Sequence, residues 1–188
     1  MRTLKLQMQI TIDGFVARPD GTQDWMKTGM DKKAVERVIH IADESDTIIM
    51  GRKMSKDFLP YWEKLVDSGD TSNPEWGIGT RMVEMKKIIF SKTLKTTDGR
   101  NARVENGDMK TVINKLKSEP GKDILVYGGA NFVSNLIKED LIDDYYFFVN
   151  PVGIGEGMKI IYGTKKLKFV ETIPYTSGVI VNHYKPER

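Results

Sequence analysis

The sequence of 188 residues lacks cysteine, has only two histidines and contains no long apolar run. Without cysteine the chain has no disulfide, no thiol nucleophile and no thiolate metal site. The two histidines, His40 and His183, are far apart in the sequence, so we expect no zinc site. No apolar stretch approaches the roughly 20 residues that cross a bilayer, and no signal-like core follows the N-terminus. These absences predict a cytoplasmic protein with no metal and no membrane contact.

Neither sign of charge is in large excess. The chain has 29 basic and 26 acidic residues, a formal net charge of +3, and they are mixed along the sequence. So small and dispersed an excess provides no basic face for nucleic acid. Hydrophobic residues make up 39% and charged residues 29%, as in ordinary globular proteins. With no repeat or linker, we expect a single domain over residues 1–188.

Apolar patterns predict strands that alternate with helices. The predicted strands are 4–12, 47–50, 87–90, 124–127 and 145–149, with a short one around Val104. The predicted helices are a stripe of Val35, Val38, Ile39 and Ala42, followed by 54–62, 109–117 and 132–137.

Two later features complete the predicted architecture. Segments 167–173 and 179–184 form a strand–turn–strand pattern, which predicts an antiparallel pair at one edge of the sheet. The stretch from Asp67 to Gly79 is rich in turn residues and predicts a long surface loop. The fold class is therefore α/β, with a mixed, mainly parallel sheet flanked by helices.

A paired glycine, Gly128–Gly129, lies between the predicted strand 124–127 and the helix that follows it. Two glycines at such a turn let the backbone approach a ligand closely. The free N–H groups that open the helix favour a phosphate or another anion. The alternative is that the two glycines serve no ligand and only allow the positive φ of a tight turn.

Three strand ends carry residues suited to an anionic ligand: Gly51–Lys53, Ser91–Lys92 and Gly128–Gly129. Ligands of open α/β sheets bind outside the carboxyl ends of strands, so we expect these ends to converge on one extended, phosphorylated ligand. Arg52 offers a bidentate phosphate contact and Lys53 a point charge.

The end at Ser91–Lys92 adds a second cationic group beside a hydroxyl. This pair suits the 2′-phosphate of an adenosine ribose and favours NADPH over NADH. The alternative for each basic residue is a solvated surface charge, and only their shared position at strand ends favours the ligand.

Five short motifs occur in order along the chain: Ile12–Gly14 with Asp24–Trp25, Ile48–Arg52, Ile88–Lys92, Val126–Asn131 and Asn150–Gly157. In these motifs the chain resembles the dihydrofolate-reductase-like superfamily. It is most similar to single-domain relatives of the reductase domain in bifunctional riboflavin-biosynthesis deaminase–reductases. The resemblance runs from Lys5 through His183.

The resemblance implies a three-layer fold with about eight strands, an antiparallel C-terminal strand pair and NADPH across the strand ends. The glycine loop would cover the pyrophosphate, the turn after Gly51 would contact phosphates, and Ser91 with Lys92 would contact the adenosine end. The loop from Ile12 to Trp25 would cover the nicotinamide. The implied cofactor residues are Ile10, Trp25, Gly51, Arg52, Lys53, Met54, Ser91, Lys92, Gly128, Gly129, Ala130, Asn131, Phe132 and Val133.

The chain departs from this family where relatives carry carboxylates. The pocket-facing carboxylate of dihydrofolate reductases would fall near Val35, which is apolar. Asp31 lies one turn earlier on the same helical face and is a catalytic candidate, although helix propensities favour an N-cap role for it. Riboflavin reductases place a glutamate before the paired glycine, where this chain has Tyr127. Tyr127 is the second catalytic candidate, as a phenol donor in the pocket, or else a core aromatic. The threonine of the phosphate turn is replaced by Met54.

The resemblance implies an NADPH-dependent oxidoreductase that transfers a hydride to a pterin- or pyrimidine-like heterocycle. The most similar activity is that of 5-amino-6-(5-phosphoribosylamino)uracil reductase in riboflavin biosynthesis. One alternative is dihydrofolate reductase activity. Another is an NADPH-binding regulatory protein without catalysis, which the residues Val35 and Tyr127 favour. The antiparallel C-terminal edge favours a homodimer, as in the riboflavin reductases.

Overall fold

The structure is a computed structural model that describes residues 1–28 and 31–187. Over these residues eight strands form one sheet: β1 (Leu4–Thr11), β2 (Ser45–Gly51), β3 (Lys86–Phe90), β4 (Ala102–Glu105), β5 (Asp123–Val126), β6 (Asp144–Asn150), β7 (Leu167–Pro174) and β8 (Ile180–Pro186). The same residues form five α-helices: α1 (Lys32–Asp43), α2 (Arg52–Asp67), α3 (Trp76–Glu84), α4 (Met109–Ser118) and α5 (Ala130–Lys138). A short 3₁₀ segment spans Asp24–Thr28.

The strand order across the sheet is β4-β3-β2-β5-β1-β6-β8-β7. Strands β1 to β6 pair in parallel, and β8 pairs antiparallel with both β6 and β7. The predicted mixed sheet with an antiparallel C-terminal pair is therefore confirmed. Its parallel strands all end at the same edge, which we call the carboxyl edge.

Helices cover both faces of the sheet. Helices α4 and α5 pack on one face against alternate residues of the central strands, such as Leu6 and Val126. Helices α1, α2 and α3 pack on the other, here called the α1–α3 face, against residues such as Met50 and Phe148. The central strands are thus buried on both sides, which explains their short, strongly apolar sequences.

Helix α3 corrects part of the predicted loop from Asp67 to Gly79. The chain turns after α2, but it becomes helical again at Trp76. The glycines of this helix have low helix propensity, so the sequence pattern did not predict it. They also let the helix pack closely on α2, since a Cβ on Gly79 would lie 3.0 Å from Leu65 Cδ2. Lys87 caps the end of the helix by donating from Nζ to three backbone carbonyls at 2.7–2.9 Å.

The loop that follows β1 is attached to the segment after β6. An antiparallel bridge joins Ala17 to Met158, with backbone hydrogen bonds of 2.8 and 2.9 Å. The Asp13 carboxylate also accepts hydrogen bonds from the backbone N–H groups of Ile154 and Gly155. A Cβ on Gly157 would lie only 2.3 Å from Ala17 O, so the bridge requires a glycine there.

Asp31 joins the start of α1 to the turn between β7 and β8. One carboxylate oxygen caps the helix by accepting from Ala34 N at 2.9 Å. The other oxygen accepts from Thr176 Oγ1 at 2.8 Å and Ser177 N at 3.0 Å. These bonds, that from Ala34 foremost, lower the pKa of Asp31 to about 2. The predicted N-cap is confirmed.

We expect Gly157→Ala to lower the free energy of unfolding by about 1–3 kcal/mol, the usual effect of overpacking against backbone. Urea denaturation measures this change. Gly153→Ala is the matched control, because a Cβ there would lie 3.6 Å from its nearest neighbour, an ordinary contact. Equal stabilities of the two variants would contradict the close approach of Gly157 to Ala17.

We expect Asp31→Ala to lower the melting temperature more than Asp108→Ala. Both aspartates cap helices, but only Asp31 also binds the β7–β8 turn. Because the pKa of Asp31 falls from 3.8 to about 2 on folding, its stabilisation is complete above pH 4 and disappears as pH drops through about 2. Unfolding of the parent and Asp31→Ala across this range checks the sign. A stability gap that widens on acidification would refute it.

Candidate functional site

Two helices begin side by side at the carboxyl edge. Helix α2 starts directly after β2, and α5 starts after the Gly128–Gly129 turn that follows β5. A Cβ on Gly129 would lie 3.6 Å from Gly51 N, and one on Gly51 would lie 3.0 Å from Phe132 Cβ. The two helix starts therefore lie close together, with little more room between them than a Cβ would fill.

No side chain in the described ranges caps either of these helix starts. Their N-cap residues are Gly51 and Gly129, whereas aspartates cap α1 and α4. The first backbone N–H groups of α2 and α5 thus lack side-chain acceptors, and both helix dipoles present their positive ends at the same place. Adjacent helix starts of this kind suit an anion.

The paired glycines have backbone conformations that L residues rarely adopt. Gly128 has φ of 149° and Gly129 has φ of 90°. A Cβ on Gly128 would also lie 3.0 Å from Met54 Sδ, so a side chain there would crowd the loop. The predicted positive φ is therefore present at both glycines, whereas the close approach to a ligand stays a prediction.

Arg52 lies at the start of α2, half-buried. The other arginines within residues 1–28 and 31–187 each pair with a carboxylate, namely Arg2, Arg18, Arg37, Arg81, Arg100 and Arg103. Arg52 has no such partner among those residues, although it lies beside two helix starts. Its guanidinium remains available for an anionic ligand. Lys53 beside it is exposed.

The end of β3 is joined to this site by aromatic contact. Phe90 stacks on Phe132 of α5 with ring centroids 5.2 Å apart. Ser91 Oγ accepts from the backbone N–H groups of Thr93 and Leu94, which leaves its own proton free to donate. Lys92 is exposed, and within the described ranges it has no ion pair. The carboxyl edge therefore brings together the three predicted strand ends.

Two other predicted cofactor residues, Ile10 and Trp25, belong to β1 and to the 3₁₀ segment. Ile10 lines a cleft of about 290 Å³ with Gly14, Phe147 and Ile160, on the face covered by α4 and α5. Trp25 is buried, with 6% of its surface exposed, and its Nε1 has no partner in the described part of the chain. An unpartnered buried N–H of this kind is uncommon and suits a ligand or a water.

Tyr127 fits both of the predicted alternatives. Its ring packs edge-on against Phe58 at 5.6 Å and joins the core of the α1–α3 face. Its hydroxyl faces the Gln7 side chain. Burial, and then the charge of Glu75, raises the pKa of Tyr127, so the phenol keeps its proton at neutral pH. Val35 is half-buried against the same core.

Asp31 has a structural role that conflicts with proton donation. Both carboxylate oxygens accept hydrogen bonds, and the pKa of about 2 keeps the group ionised at neutral pH. Asp31 therefore has no proton to donate at neutral pH.

Sequence reasoning missed Gln7. The alternation in β1 indicated one polar face, but β1 is a central strand and Gln7 is only 4% exposed. Within the described residues its Oε1 has no hydrogen-bond partner. Gln7 could have been found from one signal, namely a polar residue in a strand that the predicted parallel topology buries on both faces.

Residues 1–28 and 31–187 contain no group of three or more metal-binding side chains placed to hold an ion. No helix in these ranges has the length and apolar character needed to cross a bilayer.

Comparison with known structures supports the fold. A protein of Shewanella sp. PV-4 superposes with a TM-score of 0.73 over 100% of both chains, at 18% identity. The diaminohydroxyphosphoribosylaminopyrimidine deaminase/5-amino-6-(5-phosphoribosylamino)uracil reductase of Thermotoga maritima superposes with a TM-score of 0.67 at 17% identity. That match covers 98% of this chain and 56% of the Thermotoga chain.

Sequence comparison gives the family. The uncharacterized protein YyaP of Bacillus subtilis strain 168 is 30% identical over 182 residues, which cover 95% of this chain and 92% of YyaP. The family model of the RibD C-terminal domain matches residues 2–181. The chain therefore belongs to the RibD C-terminal domain family.

Proposed function

We propose that this protein is an NADPH-dependent reductase that transfers a hydride to a pyrimidine- or pterin-like heterocycle. The most similar activity is that of 5-amino-6-(5-phosphoribosylamino)uracil reductase. One observation carries the proposal: Arg52, which has no ion-pair partner within residues 1–28 and 31–187, lies beside two adjacent helix starts that lack side-chain caps. Membership of the RibD C-terminal domain family supports a nicotinamide cofactor for this site.

The residues of the carboxyl edge fit a dinucleotide phosphate. The N–H groups that open α2 and α5 would bind the pyrophosphate, and the glycines leave space for it. Arg52 would bind a phosphate with two parallel hydrogen bonds. Lys92 and the free Ser91 proton would bind the ribose 2′-phosphate, which NADH lacks. When bound, the cofactor supplies the hydride, and the protein supplies binding and orientation.

The chain's own residues would orient the heterocycle and exclude water. The loop after β1 is anchored at the Ala17–Met158 bridge and would cover the reacting end of the cofactor. The Tyr127 hydroxyl retains its proton and would polarise a ring carbonyl or nitrogen by donating a hydrogen bond. The apolar Val35 favours a pyrimidine substrate over dihydrofolate, because the folate enzymes use a carboxylate there.

We also propose a homodimer. Strand β7 is the outer strand of the sheet and carries exposed Phe169 and Val170, at 59% and 43% of their full surfaces. Such an edge, exposed and apolar, is usually covered by another chain. Sedimentation velocity tests this point, and a monomer at micromolar concentration would contradict it.

We expect NADPH to raise the melting temperature more than NADH at equal concentration. Saturation at one hundred times the dissociation constant stabilises a folded protein by about 2.7 kcal/mol, which thermal-shift titration detects.

The Arg52→Ala, Lys92→Ala double variant removes two charged contacts, so NADPH affinity should fall by roughly tenfold or more for each contact. Loss of NADPH absorbance on adding 5-amino-6-(5-phosphoribosylamino)uracil then separates an enzyme from a binding protein.

Arg100→Ala is the control, because Arg100 already pairs with Asp67. It should leave NADPH affinity unchanged. Equal affinity of the parent for NADPH and NADH would refute the 2′-phosphate contacts. No shift with either cofactor would refute the reductase itself.

A further inference from the structure

Two asparagines flank β4, the outer parallel strand, and each holds a neighbouring segment with its side-chain amide. Asn101 precedes β4 at the amino edge of the sheet, where its Nδ2 donates to Val83 O at 3.1 Å and to Glu84 O at 3.2 Å. Asn106 follows β4 at the opposite, carboxyl edge. The two residues make the same kind of contact at the two ends of one strand.

The Asn106 amide closes the turn that carries Lys92. Its Nδ2 donates to Ser91 O and to Leu94 O, the latter at 2.9 Å. Because a side-chain amide has two N–H groups, both are used within this turn. One nitrogen therefore joins the two ends of the segment 91–94 and leaves Lys92 and Thr93 at its tip.

Backbone and core contacts attach the same turn to the sheet. Ser91 N donates to Glu105 O at 3.1 Å, which continues the pairing of β3 with β4. Ser91 Oγ accepts from Thr93 N and Leu94 N. Leu94 packs against the core of the α1–α3 face. These contacts hold the ends of the segment, and the Asn106 amide sets the distance between them.

The acidic side chain of Glu105, on the strand beside this turn, is already engaged. Its Oε1 accepts from Gly107 N at 2.9 Å, and its Oε2 pairs with Arg103 at 2.9 Å. These contacts, that from Gly107 foremost, lower the pKa of Glu105. Lys92 is exposed and has no ion pair within residues 1–28 and 31–187, so its ammonium remains available at the tip of the turn.

The proposed 2′-phosphate contact needs donors at a fixed distance from the rest of the cofactor. The stack of Phe90 on Phe132 joins the end of β3 to α5, which fixes the start of the turn relative to the two helix starts. The tip is fixed as well when the turn keeps its shape. A lysine on a disordered loop would instead lose conformational entropy on binding, and this loss would weaken the contact.

We infer that Asn106 is a positioning residue: by joining Ser91 O to Leu94 O, it holds the Lys92 ammonium and the Ser91 hydroxyl where they select NADPH over NADH. The inference rests on the proposed function, because it requires the adenosine end of the cofactor to lie at the end of β3. It assigns part of the cofactor selectivity to a side chain outside the phosphate contacts. Since Asn106 is exposed, its bonds contribute little to global stability and act on the local shape of the turn.

The first test uses two probes, adenosine 2′,5′-bisphosphate and adenosine 5′-monophosphate, which differ only in the 2′-phosphate. Calorimetric titration of the parent should show a clear preference for the bisphosphate. Asn106→Ala should reduce that preference by about tenfold, the effect of losing one charge-assisted hydrogen bond. Its affinity for the monophosphate should stay that of the parent.

Asn101→Ala is the matched control. It removes an equal pair of amide bonds at the other end of β4, at a residue with φ of 51° that suits alanine poorly. It should therefore lower the melting temperature at least as much as Asn106→Ala, and it should leave the preference for the bisphosphate unchanged.

The second test is a double-mutant cycle between Asn106 and Lys92. If Asn106 acts by holding Lys92, the substitution Asn106→Ala in a Lys92→Ala background should change the preference by less than about threefold. Losses that simply add would mean that the two residues act independently, and they would overturn the inference.

The outcomes separate this inference from the proposed function. A parent that binds neither NADPH nor the two probes would refute the reductase proposal. A parent that binds NADPH without preferring the 2′-phosphate would refute the contacts of Ser91 and Lys92, and the inference with them. A preference that persists in Asn106→Ala, or that Asn101→Ala reduces equally, would overturn the role of Asn106 alone.

Discussion

The close approach of Gly51 and Gly129 is the constraint on which the candidate site depends. It places the starts of α2 and α5 side by side at the ends of the paired parallel strands β2 and β5, with no side-chain cap on either helix. Uncapped helix starts carry unsatisfied N–H groups, so an arrangement without a ligand forgoes stability that the aspartate caps of α1 and α4 provide. Arg52, unpaired among the described residues, adds to the same local excess of positive charge. The local electrostatics of the two helix starts therefore favours an anionic ligand.

The polar side chains that pack into the fold divide into two kinds. Lys87 is buried, but its ammonium binds three carbonyls at the end of α3, and Asp31 uses both of its carboxylate oxygens. These residues stabilise the fold. Gln7 Oε1 and Trp25 Nε1 are buried without partners in the described ranges. Proteins tolerate such groups mainly at functional sites, where a ligand supplies the missing bonds.

Much of the architecture was predictable from local pattern. The strands, α1 with its Asp31 cap, and α4 follow from apolar spacing and capping residues that act over a few positions. The glycine loop was predictable because a strand, two glycines and an amphipathic helix follow one another directly. Helix α3 was not, since its glycines lower helix propensity and its stability comes from packing on α2. The role of Asp31 was also open, because the sequence does not show the β7–β8 turn that binds it.

The sequence by itself determined the fold class, the three strand ends and the residue types that suit a phosphorylated cofactor, because each depends on near neighbours in the chain. Only the tertiary structure decided which charged groups form ion pairs and which stay available for a ligand. Ion pairs join residues distant in sequence, such as Arg37 with Glu171, and leave Arg52 without a partner among the described residues. The burial of Gln7 was likewise decided by the strands on either side of β1, since a strand's second face is buried only when the whole sheet assembles.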